Sequence, residues 1–200
     1  MTEKTRMVFA SGNAGKIEEM EYLAKKNLNG FEIELLGLKD IGFTGEIIEN
    51  GASFEENAKI KAQAAHGQSG MICFGEDSGL CVDYLGGAPG IFTARYGGIK
   101  RLLEELKNVP DCQRGAHFYC AIYCILDKDT GFCVSGKCSG FIAREEAGSG
   151  GFGYDPVFYY PPAKKTFAEL SREQKNSVSH RAAAVGKFAE IIAKHIEKNH

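Results

Sequence analysis

Residues 8–20 read VFASGNAGKIEEM, and the change of pattern inside this stretch sets the fold class. The apolar run from Met7 to Ala10 has the length and bulk of a short buried strand. From Lys16 to Leu28 the apolar residues return at helical spacing, with Ile17, Met20, Leu23 and Ala24 near one face. Between strand and helix lies a turn of small residues, Ser11-Gly12-Asn13-Ala14-Gly15-Lys16. The common phosphate-loop pattern, G-x-x-x-x-G-K-[ST], does not fit it: the first glycine would fall on Ala10, and Ile17 stands where the hydroxyl should follow the lysine. A strand–turn–helix unit still presents the N–H groups of the first helical turn, and the positive end of the helix dipole, to an anion. Lys16 adds a charge at the same place. The residues equally describe a tight turn in which Ser11 or Asn13 caps the helix.

Working outward, Phe31–Leu36 alternates as a second strand, and residues 37–52 form a loop rich in glycine and acid. Ser53 with Glu56 reads as a capping box opening a helix to about His66. Met71–Phe74 is a third short strand ending at GEDSG, and LCVDYL and GIFTARY flank the turn GGAPG. Ile99–Lys107 has helical spacing, and His117–Leu126 with Phe132–Ile142 predicts a hairpin about DKDTG. AGSGGFGYDP is a long glycine-rich loop. Ser171 with Gln174 makes a second capping box, and Ser177 is placed to cap a last helix with the apolar stripe Val178, Ala182, Val185, Phe188, Ile192 and Ile196. Helices alternate with strands early and strands run together later, which predicts an α/β unit with a mixed sheet flanked by helices.

The chain has 200 residues, the size of a single domain spanning 1–200, with 44% apolar and 25% charged residues. A net charge of −2 argues against a general basic surface for nucleic acid, so phosphate binding must be local. No apolar run reaches the length of a membrane span, and the polar stretch Met1–Arg6 lacks the apolar region of an export signal. Seven cysteines, an odd number without such a signal, read as reduced thiols of a cytoplasmic protein rather than a disulfide framework. Cys120, Cys124, Cys133 and Cys138 are spaced C-x3-C and C-x4-C on two strands, which fits core thiols better than a zinc knuckle. Cys120, Ile122, Cys124 and Leu126 share one strand face.

Three further stretches hold chemistry. GEDSGL places Glu76, Asp77 and Ser78 at a strand end, where open α/β sheets build their sites. Adjacent carboxylates on an extended chain point to opposite faces, so one can ligate a metal while the other orients its surroundings. Glu46, Glu49, Glu55 and Glu56 lie in GEIIENGASFEENA, and such oxygen donors beside phosphate suit Mg²⁺. Solvated surface acids and favourable charge at a helix start explain Glu55 and Glu56 as well, but explain Asp77 less well in its apolar setting. GSGGFGYDP offers Phe152 and Tyr154 for stacking on a flat base, or is a mobile linker with its aromatics folded onto the core. SREQKNSVSHRAA sets Lys175, His180 and Arg181 around a helix start, where acids are normally preferred; the basics point to an anionic or electron-rich partner, or are a solvated face.

Taken in order, SGNAGK, ENGASFEENAKIKA, EDSGLCVDYLGGAPGIFTARYGG and GGFGYDPVF…K…SHRAA resemble the inosine triphosphatase or Ham1-like enzymes, the XTP/dITP diphosphatases, from about Val8 to Ala189. The resemblance implies an elongated, two-lobed α/β fold around a central mixed β-sheet, with the nucleotide cleft between the lobes and a homodimeric assembly. It implies Mg²⁺-dependent hydrolysis of ITP, dITP and XTP to the monophosphate and pyrophosphate. Matched residue by residue, Ser11, Gly12, Asn13, Ala14, Gly15 and Lys16 hold the triphosphate, Glu49 and Asp77 are the metal acids, and Asp77 is the general base. Ser78 touches substrate. Phe152 stacks on the purine, Gly153, Tyr154 and Asp155 shape that pocket, and Lys175, His180 and Arg181 read the base and help hold the nucleotide.

Two features depart from the family pattern. Glu76 replaces the first of two aspartates common in relatives; the charge is kept, so a shift in the contacts behind the metal acids is expected rather than loss of activity. An acidic insertion found after the ARY-G-G-like stretch in many bacterial relatives is missing at Gly98, so the family's local loop structure, and part of its dimer contact or cleft rim, is not carried over here. The alternatives are a Maf-like enzyme acting on modified pyrimidine nucleotides, against which the GGFGYDP…SHR region speaks, and a non-catalytic nucleotide sensor, against which Glu49 and Asp77 speak.

Overall fold

The computed structural model describes residues 4–199; Met1–Glu3 of the polar N-terminal stretch, and His200, lie outside the described residues. Seven strands form one sheet in the order β2-β1-β3-β4-β5-β6-β7. They are β1 Thr5–Phe9, β2 Ile33–Gly37, β3 Ile72–Val82, β4 Gly115–Ile125, β5 Gly131–Ile142, β6 Phe158–Tyr160 and β7 Lys165–Thr166. The helices are α1 Ala14–Asn27, α2 Phe54–Ser69, α3 Gly98–Glu105, α4 Arg172–Val178 and α5 His180–Asn199. β1 runs parallel to β2 and β3, with Met7 opposite both Leu35 and Ile72, whereas β6 runs antiparallel to β5 and β7. The sheet is mixed, as the order of elements predicts. The parallel pairs follow from crossovers through α1 and α2, since parallel neighbours need a long connection.

Contacts group the chain into two compact units, one of residues up to Asp77 with Cys120–Gly136 and Arg181 onward, the other of Ser78–Tyr119 and Lys137–His180. In the first, β1 is buried on both faces, as a parallel strand under helices must be. Met7 and Phe9 enter one cluster and Val8 and Ala10 another. The larger cluster stacks Phe9 on Phe74 at 5.0 Å and sets Phe74 against Phe188 of α5 at 4.8 Å. Val185, Phe188, Ile192 and Ile196 of the last helix are buried there, with Cys120, Ile122 and Cys124 of β4. The second unit packs Leu80, Val82, Leu102 and Leu106 around Phe118, Phe158 and Phe167.

Several local expectations change. β3 does not stop at Phe74 but runs eleven residues to Val82, so Glu76, Asp77 and Ser78 lie within the strand rather than at its end. Ser53 caps α2 by accepting the Glu56 N–H, but the Glu56 carboxylate accepts from Ala52 N instead of closing the box on Ser53. The Ser171–Gln174 box forms in both directions. Ser177 caps nothing: it lies inside α4 and donates to the Gln174 carbonyl. Val178 ends α4 and packs in the second unit, so the expected stripe belongs to two helices. Cys133, read as a core thiol, is exposed because it falls on the outward face of β5.

Candidate active site

The SGNAGK turn starts where β1 ends. Ala10 N–H still bonds to the Phe74 carbonyl at 2.8 Å, and the chain then turns with Ser11 Oγ accepting the Asn13 N–H at 3.2 Å. Asn13 is the cap, its Oδ1 accepting from Lys16 N at 3.0 Å, so Ala14, Gly15 and Lys16 are the first helical turn. Asn13 thus caps the helix, and a capped helix start still offers the remaining N–H groups of its first turn to an anion.

Lys16 reaches from that turn to the acids of β3: its Nζ is 3.0 Å from Glu76 Oε2 and 4.0 Å from Asp77 Oδ1. The two acids serve different neighbours, as strand alternation demands. Glu76 accepts from the Cys120 thiol at 3.3 Å and from Arg181 Nη2 at 3.1 Å, and Arg181 also pairs with Glu19 of α1. Asp77 faces α2. Its Oδ1 takes Lys61 Nζ at 3.1 Å and its Oδ2 takes Asn57 Nδ2 at 3.2 Å. Lys61 simultaneously meets Glu49 Oε2 at 2.7 Å. Asn57 Oδ1 accepts the Gly51 N–H at 2.9 Å, which ties the segment bearing Glu49 to the same helix.

The strand lies close on this helix because residue 75 is glycine. A Cβ there would fall 2.2 Å from the Ala58 carbonyl oxygen and 2.7 Å from Lys61 Cβ. Burial raises the Asp77 carboxyl above the ordinary aspartate value, more than Lys61 and Lys16 lower it. For Lys61, burial pulls the ammonium down, but Asp77 and Glu49, with Glu76 behind them, lift it above its usual value, so it stays charged.

Of the acids in GEIIENGASFEENA, then, Glu49 joins the cluster; Glu46 is exposed and Glu56 is spent at the helix start. Glu49 and Asp77 send one oxygen each to a single cationic point, now Lys61 Nζ, and that convergence fits a hard divalent cation. Among the described residues no group of three or more His, Cys, Asp or Glu side chains is arranged for a metal, so these two carboxylates would need phosphate and water to complete a shell.

The second unit carries the aromatic and basic residues. Asp155 is buried and its Oδ2 accepts from Phe152 N at 2.8 Å and from Lys175 Nζ at 2.6 Å. The same ammonium lies 4.8 Å from the centre of the Phe152 ring, within cation–π range. The glycine-rich loop is thus folded around a buried ion pair. Gly151 has φ +69°, and a Cβ on it would meet Asp155 Oδ2 at 2.1 Å. Tyr154 packs in the core and its hydroxyl donates to the Thr93 carbonyl at 3.4 Å, so it supports the loop from beneath. Gly153 has φ +64° with open space where a Cβ would be. His180 stacks on Phe118, ring centres 4.7 Å apart.

The three basics are thereby given different settings: Lys175 pairs with Asp155, His180 lies on Phe118, and Arg181 belongs to the first unit with Glu19 and Glu76. Ser78 follows Asp77 in β3, half-buried. Sequence reading missed Lys61, Asn57 and Glu19. The signal lay in phase: Asn57 and Lys61 are spaced i, i+4 on the alanine face of α2 with Ala58, Ala62 and Ala65. A lysine on the buried face of a helix asks for an anion beneath it.

These features have a counterpart among known proteins. The chain belongs to the Ham1 family, whose model matches residues 7–191. It is similar to the dITP/XTP pyrophosphatase of Clostridium perfringens, 41% identical over 201 residues, covering 94% of this chain and 97% of that protein. The protein of the same name from Escherichia coli strain K12 is 42% identical over 190 residues, covering 90% and 94%. A solved HAM1 protein from Coxiella burnetii superposes with a TM-score of 0.85 at 36% identity, covering 95% of this chain and 99% of that one.

Proposed function

We propose that this protein hydrolyses non-standard purine nucleoside triphosphates, ITP, dITP and XTP, to the monophosphate and pyrophosphate, with residues 1–200 acting as one catalytic module. The observation that carries the reading is the buried Asp77 carboxylate held by Lys61 and approached by Lys16 beside the start of α1. The names of the relatives point to the same substrates.

The triphosphate is assigned to the α1 turn, with Ser11, Asn13, Lys16 and the backbone of Gly12, Ala14 and Gly15 as donors. An added Cβ on Gly12 meets no atom within 4 Å, so the open side of that turn is free for phosphate oxygens. Asp77 is the base. A water hydrogen-bonded to its carboxylate gives it a proton while the water oxygen bonds to one phosphorus of the α–β anhydride, the bridging P–O bond breaks, and pyrophosphate leaves. Burial suits Asp77 to this task, since a raised pKa strengthens a carboxylate as a base. Lys16 and Lys61 offset charge on the phosphate oxygens in a setting shielded from water. Glu49 and Asp77 are the carboxylates that would hold Mg²⁺, which when bound supplies further positive charge on those oxygens.

Phe152 stacks on the purine, with Gly153, Tyr154 and Asp155 shaping its seat, Ser78 contacting substrate, and Lys175 and His180 reading the base; Arg181, paired with Glu19 and Glu76, helps hold the nucleotide through the acids beside Lys16. Donors facing O6 favour hypoxanthine and xanthine and leave unpaired groups against the amino group of ATP, a mismatch able to discriminate by orders of magnitude. The reading includes a cytoplasmic homodimer acting without nucleic acid or membrane. It is supported by the family resemblance; among the described residues no helix is long and apolar enough to cross a membrane.

Incubating the protein with ITP, XTP, dITP, GTP or ATP and Mg²⁺, and measuring pyrophosphate, tests the proposal. Pyrophosphate from ITP, dITP and XTP in large excess over ATP is expected. Equal turnover of ATP and ITP, or release of single phosphate, overturns it.

A further inference from the structure

Lys61 stands where a divalent cation would serve. Its ammonium takes one oxygen of Glu49 at 2.7 Å and one of Asp77 at 3.1 Å, and Asn57 holds the other Asp77 oxygen. An external cation must compete with Lys61 for those two oxygens. Lys61 is 7% exposed, so its charge cannot leave its anions for water without a large change, and a buried ammonium without an anion is costly.

Lys61 joins Lys16 and Arg181 among the acids Glu19, Glu49, Glu76 and Asp77. A nucleoside triphosphate changes its balance. Its oxygens at the α1 turn give Lys61 another anion to bind, and they add the oxygen ligands that two carboxylates alone do not supply.

We propose that Lys61 is a lock on the metal carboxylates, so that the protein takes up its divalent cation only together with a nucleoside triphosphate. The inference rests on the pyrophosphatase reading above and adds to it the order of assembly. Lys61 is displaced from Glu49 and Asp77 by the incoming triphosphate rather than by the ion. Without nucleotide the site resists the metal that its acids would otherwise collect.

The test uses Mn²⁺ as the metal probe, with free Mn²⁺ read by electron paramagnetic resonance, and the α,β-methylene analogue of ITP as nucleotide. For the wild-type protein, Mn²⁺ affinity should rise by more than about tenfold when the analogue is present, within the usual range of coupling between sites. In Lys61→Met, Mn²⁺ should bind without nucleotide at least about tenfold more tightly than to wild type, with the coupling to analogue reduced to match. Adding Glu49→Gln to Lys61→Met should remove the gain. Lys16→Met removes an equal charge from the same cluster but leaves Lys61 on Glu49 and Asp77, and its gain should be much smaller. An equal gain in Lys16→Met overturns the lock in favour of charge alone. Wild-type Mn²⁺ affinity that is the same with and without analogue also overturns it, and this arm decides the matter should Lys61→Met fail to fold. If the protein turns over ITP yet shows no such coupling, the lock alone fails; if it neither binds the analogue nor releases pyrophosphate from ITP, the pyrophosphatase reading fails.

Discussion

Gly75 lies against Lys61, so close that a Cβ on the glycine would sit 2.7 Å from the lysine Cβ. Gly75 and Asp77 are two apart on β3 and share the face toward α2. The missing side chain at 75 is therefore what lets the Asp77 carboxylate and the Lys61 ammonium meet.

Gly75→Ala should force β3 and α2 apart. Overpacking of this kind costs about 1–3 kcal/mol, because the obstruction includes the Ala58 backbone carbonyl, which cannot swing away. Denaturant unfolding should show that loss, and ITP turnover measured on the remaining folded protein should fall with it.

Asp77→Asn should leave the fold and abolish the base. The expected drop in kcat is roughly 10²- to 10⁴-fold, the usual contribution of a positioned acid or base, with binding of a non-hydrolysable ITP analogue retained. Undiminished turnover would show that the base lies elsewhere.

The pH profile carries its own sign. A carboxyl with a raised pKa stays protonated, and so inactive as a base, to a higher pH than an ordinary aspartate. The acid limb of kcat/KM should thus lie above the usual aspartate range. Lys16 lowers that pKa, so Lys16→Gln should move the limb further up while reducing the rate. In stability terms, the Asp77 contribution is full below its unfolded pKa and is lost as pH rises through the folded value.

Phe152→Ala should weaken nucleotide binding. Base–aromatic stacking is worth about 1–3 kcal/mol, so KM for ITP should rise roughly 5- to 150-fold while kcat changes less. Phe152→Tyr, which keeps the ring, should stay near wild type.

Asp155→Asn should unfold more readily than the double variant Asp155→Asn with Lys175→Met. Removing one partner of a buried pair costs about 3–5 kcal/mol, whereas removing both charges restores much of it. A double-mutant cycle by chemical denaturation measures the difference, since both residues are buried.

The mixed sheet was legible because the periods of β1, α1, β4 and β5 are strong and local. The length of β3 was not. Gly75-Glu76-Asp77 reads as the end of a strand, since a glycine followed by two charges breaks an apolar run. It continues because cations from α1, α2 and α5 meet those charges, a compensation made by residues 16, 61 and 181 that no local window contains. Lys16, Glu49 and Asp77 stand out by residue type and motif order, and the structure sets them in one cluster with Lys61. Lys61 was less legible, because only its phase on the alanine face of α2 marks it. Asp155 reads as part of a base pocket, while its bonds to Phe152 N and Lys175 also make it the internal anion of the glycine loop.

Arg181 has a consequence for the environment in which the site works. Its pairs with Glu19 and Glu76 are almost wholly excluded from solvent, and dissolved ions screen such contacts far less than exposed ones. Osmotic swings in the surrounding fluid therefore leave the acid framework aligned. What they screen is the field of the exposed charges on a chain of net charge −2, so salt acts on the encounter and spares the chemistry.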